Sequence, residues 1–169
     1  SKPALAGLWP TRKGMSVVMD LGANIECNDQ NLIDFAKLGS ALYKALFPNE
    51  LPNVSILNVG SEEIKGTEML KNASRRLRHL SNEDHFKYKG YIEGNNILSG
   101  DSNVIITDGF TGNVALKTAE GTAKFITESL KKSLTENILS RISIIFSYFS
   151  LKKFKEKLDP RKYNGAIFL

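Results

Sequence analysis

The stretch Thr107–Gly121, reading Thr-Asp-Gly-Phe-Thr-Gly-Asn-Val-Ala-Leu-Lys-Thr-Ala-Glu-Gly, follows the apolar run Val104-Ile105-Ile106 and opens a long helical pattern. Asp108, Gly109, Gly112 and Asn113 therefore fall where a buried strand hands over to a helix, the junction at which α/β proteins bind anions and carry out chemistry. Glycine lets the backbone approach a ligand closely, free N–H groups at a helix start can face a phosphate, and Asp108 and Asn113 add polar groups aimed the same way. A tight turn with a capped helix is the competing reading, because short glycine-containing motifs are weak evidence. The second chemistry-bearing residue is Lys65, inside Gly60-Ser61-Glu62-Glu63-Ile64-Lys65-Gly66. A fixed ammonium near several free N–H groups is what an oxyanion or phosphate site needs. Taken alone, a solvated lysine at a helix start is the more ordinary reading.

Other chemistries lack their residues. No loop carries the Gly-x-x-x-x-Gly-Lys-Ser/Thr phosphate cradle and none is a complete Gly-x-Gly-x-x-Gly dinucleotide fingerprint, so neither an NTPase nor a dehydrogenase is favoured and no cofactor is expected. Cys27 is the single cysteine and sits beside acidic residues, where a thiolate is disfavoured. With only His79 and His85, in a charged stretch expected at the surface, no zinc-ligand spacing can be assembled and no metal is expected. Catalysis must then rest on positioning and electrostatics, as when phosphate attacks an activated carbonyl.

The elements that must position these residues repeat. Met15–Leu21 is an apolar run closed by Gly22-Ala23-Asn24; Asn28 or Asp29 then caps a helix in which Leu32, Phe35, Ala36, Leu38, Gly39, Leu42, Tyr43 and Leu46 recur at helical spacing until Pro48. Val54–Val59 is the next apolar run, followed by a turn and a second helix over Lys65–Leu80. A weaker strand is expected near Tyr88–Ile92, with a loop at Glu93-Gly94-Asn95-Asn96. Strands alternating with helices of this length predict a mostly parallel sheet covered on both faces, with the loops after each strand gathered on one edge.

At 169 residues the chain can bury one ordinary core, and no stretch approaches the roughly 20 apolar residues that span a bilayer. The N-terminus carries neither a signal-peptide core nor a methionine, so a processed chain or a piece of a longer one is expected. The net charge of +5 is uneven: from Lys131 onward nine Lys/Arg stand against three Asp/Glu, and residues 1–130 are close to neutral. Local basicity of this kind disfavours a nucleic-acid binder. Within Glu136–Leu158, Ile142, Ile145, Phe146 and Phe149 belong to a dense apolar group flanked by Lys152 and Lys153. Three readings stay open for it: a core or dimer-interface helix, an interfacial contact with an anionic membrane, and a docking face for an acidic protein.

Leu-Gly-Ala-Asn at 21–24, Asn-Val-Gly-Ser-Glu-Glu-Ile-Lys-Gly at 58–66, Tyr-Ile-Glu-Gly at 91–94, the stretch 107–121, and Leu-Asp-Pro with Tyr-Asn-Gly-Ala within 158–166 together resemble the PlsX-type phosphate acyltransferases, in order through nearly the whole chain. The resemblance implies a Rossmann-like three-layer α/β/α sandwich related to phosphotransacetylases, with an amphipathic helical hairpin. Residues 1–133 would form the α/β portion, 134–158 the hairpin, and 159–169 a return to the core. It further implies an enzyme that makes acyl phosphate and free acyl carrier protein from acyl-(acyl carrier protein) and inorganic phosphate. Such an enzyme is expected in the cytoplasm, as a homodimer held peripherally at the inner face of the membrane, passing product to an integral-membrane glycerol-phosphate acyltransferase.

Carried onto this sequence, the family's active-site positions are Lys65 and Asn113, with Asn24, Gly60, Glu62, Gly66, Asp108, Gly109 and Gly112 as substrate-binding neighbours; Ile142, Ile145, Phe146, Phe149, Lys152 and Lys153 would contact membrane. Lys65 and the loop N–H groups would hold phosphate, and Asn113 would orient it or donate to the thioester oxyanion. The family runs to roughly twice this length and commonly has Gly-Gly where this chain has Asn164-Gly165. One wall of an active site, weakly active or inactive alone, is therefore expected. A short-chain phosphotransacetylase and a non-catalytic docking module are the alternatives.

Overall fold

A computed structural model describes residues 3–81, 86–136, 147–150, 152–153 and the backbone of 167–168. The elements run β1 (Leu5–Thr11), β2 (Gly14–Met19), α1 (Asp29–Leu46), β3 (Asn53–Leu57), α2 (Glu68–Leu80), β4 (Lys87–Ile92), a short 3-10 helix (Gly94–Ser99), β5 (Val104–Ile106), α3 (Gly109–Thr135) and β6 (Ile167–Phe168). They build one sheet in the order β4-β3-β5-β2-β1-β6. The first four strands in that order are parallel, with Val54 opposite Val104 and Val17 opposite Val104 from the other side. The last two are antiparallel, so the sheet is mixed but mostly parallel, as expected.

Why these stretches become buried strands follows from their composition. Val17, Val18 and Met19, like Val104, Ile105 and Ile106, are wholly buried, as continuous apolar runs must be in a sheet covered on both faces. Alternation divides them: Val17, Met19, Val54, Ile56, Val104 and Ile106 face a core shared with α1 and α2, whereas Val18, Leu57 and Ile105 face a smaller one closed by Trp9, Ile97 and the first turns of α3. Helix α1 starts at Asn28, whose side chain accepts from the Asn31 N–H at 2.9 Å while Asn31 returns a bond to Asn28. Its inward stripe includes Leu32, Phe35, Ala36, Gly39 and Tyr43; truncating the fully buried Phe35 to Ala would cost about 3–5 kcal/mol.

Three boundaries differ from the sequence reading, each for a local reason. Strand β2 stops at Met19, not Leu21, because the Asp20 carboxylate gathers the following backbone N–H groups into a turn. Strand β3 stops at Leu57, because the Asn58 side chain bonds the Val59 N–H at 2.9 Å and the Lys65 carbonyl at 3.1 Å and so competes with the ladder. Helix α2 starts at Glu68 with Thr67 as its cap, three residues later than expected, because Gly66 adopts a φ of 89°, which no helix contains. The β1–β2 hairpin was not foreseen. Its paired residues Thr11 and Gly14 leave only Arg12 and Lys13 in the turn.

Candidate functional site

All four parallel strands deliver their following loops to one edge of the sheet, and two clusters form there. The first joins the end of β2 to the start of α3. Asp20 is completely buried, and its carboxylate accepts from the backbone N–H groups of Leu5, Gly22, Ala23 and Asn24 and from the Asn24 amide, at 2.7–3.2 Å. The Asn24 amide also donates to the Pro3 carbonyl at 2.8 Å, and the Asn24 carbonyl accepts the Gly109 N–H at 2.8 Å. Helix α3 lies so close that a Cβ on Gly112 would stand 1.9 Å from the Asp20 carbonyl oxygen, so only glycine fits. Asp108 is the N-cap: its carboxylate accepts from the Thr111 N–H at 2.8 Å and from the Thr111 hydroxyl at 2.7 Å. The Asn113 side chain is exposed against Gly22, the Cβ position of Gly22 lying 3.8 Å from Asn113 Oδ1.

This arrangement assigns different work to residues that looked alike in sequence. Asn24, Gly109 and Gly112 hold the turn after β2 against α3, and Asp108 caps α3. Of the first three helix N–H groups, those of Gly109 and Thr111 are taken, leaving Phe110 without a partner among the described residues. Asn113 remains open to solvent at this edge.

The second cluster is the β3–α2 loop. Lys65 Nζ lies 3.0 Å from Glu62 Oε1, both side chains about half exposed, and the lysine stem folds over Gly60, whose Cβ position would lie 2.5 Å from Lys65 Cδ. Hydrogen bonding to this ammonium, then to backbone, holds the Glu62 carboxyl below the usual glutamate range. Beneath the loop, the Asn58 side chain packs under Gly66 and bonds the Lys65 carbonyl, so the residue that ends β3 also fixes the lysine backbone. Because β3 and β5 are neighbours, about 4.8 Å apart, the Lys65 loop and the Asp108–Asn113 junction leave adjacent strand ends. The two clusters share a sheet edge; no hydrogen bond joins them among the described residues.

Asp20 and Asn58 are the site residues that sequence reading passed over. Each is a buried polar residue closing an apolar run, and that position was the available signal. No group of acidic, histidine or cysteine side chains suited to a metal occurs among the described residues. Ile142, Ile145, Phe146, His85 and Asn164-Gly165 lie outside the described residues, as does most of 134–158. Phe149 is described and 82% exposed, and Lys152 and Lys153 are exposed on helical backbone.

A mostly parallel sheet with its polar loops on one edge, flanked by helices, places the chain among Rossmann-like α/β proteins. It superposes on the EutD phosphotransacetylase from Staphylococcus aureus with a TM-score of 0.58 at 17% identity, over 73% of this chain and 43% of that one. A phosphotransacetylase from Streptococcus pyogenes gives 0.54 over the same shares. More narrowly, the chain belongs to the family described as fatty acid synthesis protein, which matches residues 1–169. It is 60% identical to the phosphate acyltransferase of Pelagibacter ubique, over 99% of this chain and 50% of the relative, and 48% identical to that of Rhizobium etli, over 99% and 48%. The chain spans about half the length of these relatives.

Proposed function

We propose that this chain forms one wall of a phosphate acyltransferase site, in which inorganic phosphate attacks the thioester carbonyl of acyl-(acyl carrier protein). The observation that carries the reading is the Lys65 ammonium, set on a loop beside the β5–α3 junction that presents Asn113. A phosphate oxygen bonds to the carbonyl carbon, the C–S bond breaks, and the thiolate leaves to take a proton, giving acyl phosphate and free carrier. Lys65 offsets the phosphate charge, and phosphate competes with the Glu62 carboxylate for it. Asn113 orients phosphate or donates to the developing oxyanion, so no covalent nucleophile is required. The test is Lys65→Ala in the protein encoded by the uninterrupted reading frame: a rise in phosphate KM and a rate loss of about 100-fold are expected. Unchanged phosphate dependence would refute the assignment.

The protein is further proposed to work as a homodimer resting on the cytoplasmic membrane face, where an integral-membrane glycerol-phosphate acyltransferase would consume its product. The 82% exposure of Phe149 and 54% exposure of Tyr148, close to Lys152 and Lys153, support the membrane contact, since aromatic rings and lysines suit a headgroup boundary. Among the described residues no helix is long and apolar enough to cross a membrane. Replacing Tyr148 and Phe149 by Ser is expected to release the protein from anionic liposomes; retained binding would exclude this contact.

A further inference from the structure

Between the Lys65 loop, α2 and β4 lies a cleft of about 340 Å³ whose lining includes none of Lys65, Glu62 and Asn113. Glu63 and Ile64 form its wall on the loop side, Tyr91 of the edge strand β4 lies across it, and Lys71, Arg75 and Arg78 project into it from α2. Spaced at i, i+4 and i+7, the three cations share one helix face over about 10 Å of its length. Glu68 pairs with Lys71 at 3.0 Å and Glu63 pairs with Arg78. Arg75 is exposed and donates to the side-chain amide oxygen Oδ1 of Asn72; among the described residues it has no carboxylate partner. The cleft lining thus includes one guanidinium without a carboxylate partner among the described residues, and Ser74, which also lines it, adds a hydroxyl that accepts from the Tyr88 hydroxyl at 2.8 Å.

We infer that this cleft binds the 4′-phosphopantetheine arm of the thioester substrate, an inference that rests on the acyl-transfer reading above. The volume lies at the lower end of small-molecule sites, roughly 300–1,000 Å³, and far exceeds what a lone phosphate fills. Its lining joins the apolar Ile64 and the hydroxyl of Ser74 to one guanidinium without a carboxylate partner among the described residues, which fits a polar chain carrying one phosphate. A guanidinium recognises phosphate oxygens through paired N–H donors, so Arg75 receives the phosphate, with Arg78 and Lys71 on either side. Glu63 and Ile64 immediately precede Glu62's partner Lys65 in the chain, so an arm lying in the cleft points its sulfur end toward the loop where phosphate would attack. A single aromatic side chain lines the cleft among the described residues, so there is no stacking pair of the kind that would favour a nucleobase.

The same arm occurs on coenzyme A and on acyl carrier proteins, and the test separates them. Calorimetric titration of the purified chain with 4′-phosphopantetheine, pantetheine and inorganic phosphate should show the phosphorylated arm binding at least tenfold more tightly than pantetheine, with Arg75→Glu erasing the difference and Arg75→Lys largely keeping it. Equal binding of the two arms, insensitivity to Arg75→Glu, or inorganic phosphate matching the arm's affinity would each overturn the site. Titrating coenzyme A and holo-(acyl carrier protein) against wild type and Arg75→Glu then identifies the source as whichever ligand is weakened. Phosphate-dependent thioester consumption is followed in parallel on the uninterrupted protein. Arm binding without that dependence brings down the proposed reaction and leaves the site standing; phosphate-dependent turnover without arm binding does the reverse.

Discussion

Two parts of the same sheet edge are built on opposite terms. The β2–α3 junction resembles the protein interior: Asp20 is wholly buried, its oxygens are saturated by five donors from four residues, and Gly112 lets helix meet turn without room for a methyl group. The β3–α2 loop resembles the surface, where Lys65 and Glu62 are half exposed and meet in a single ion pair. Exposed pairs of this kind contribute little to stability, while a buried carboxylate that satisfies several N–H groups contributes much. The comparison separates scaffold from proposed chemistry: a lysine proposed to exchange a carboxylate partner for phosphate cannot also be locked in place.

Substitutions should break that contrast in a defined order. Asp20→Ala strips the shared acceptor from four backbone N–H groups, those of half-buried Leu5 and Asn24 and of exposed Gly22 and Ala23, and is expected to cost about 4 kcal/mol in urea unfolding, the largest effect at this edge. Gly112→Ala should follow at about 3 kcal/mol, because its Cβ can be accommodated only by shifting α3 from the Asp20 carbonyl. A midpoint near wild type for either variant would mean that the junction is looser than its geometry implies. Gly66→Ala, at a φ of 89° and with its Cβ position 2.5 Å from Asn58 Oδ1, should cost about 1–2 kcal/mol and displace the lysine loop, which would register as weaker phosphate binding. Lys65→Ala sits at the other extreme: an unchanged unfolding midpoint together with lost phosphate dependence would sharpen the division, and a lowered midpoint would blur it.

The smallest effect is in pH. Since Lys65 depresses the folded-state pKa of Glu62, the pair's contribution is complete above the ordinary glutamate range and disappears as pH falls through the depressed value. A slight loss of stability on acidification, absent in Glu62→Gln, is expected in a comparison of thermal midpoints across acid pH. Identical acid profiles for the two proteins would show that the pair is not formed in solution.

Much of the parallel scaffold could be read directly, because strands buried on both faces leave unbroken apolar runs such as Val104-Ile105-Ile106, and because Asn28 and the spacing of Leu32, Phe35 and Ala36 mark a capped amphipathic helix. Strand β1 was illegible for a physical reason: toward the larger core it presents small residues first, Ala4 leading in and Ala6 within, and Pro10 and the charged turn at Arg12-Lys13 disguise the rest. The candidate site divides similarly. Glycines and the Lys65 loop mark the edge where the strand ends gather, but nothing in the types of Asn24 and Asp108 distinguishes a residue that touches ligand from one that ties a turn to a helix or caps it. That distinction depends on which N–H groups lie within reach, and hence on the fold.

Leu5 carries one consequence of this tying further. Its N–H donates to the Asp20 carboxylate at 3.0 Å and its carbonyl accepts the Leu21 N–H at 2.9 Å, so the beginning of the first strand grips both residues of the turn. Hydrogen exchange at this one amide is therefore a readout of the site floor. Slow exchange reports a closed turn, and faster exchange on ligand addition would register its rearrangement from a position that contacts no ligand itself.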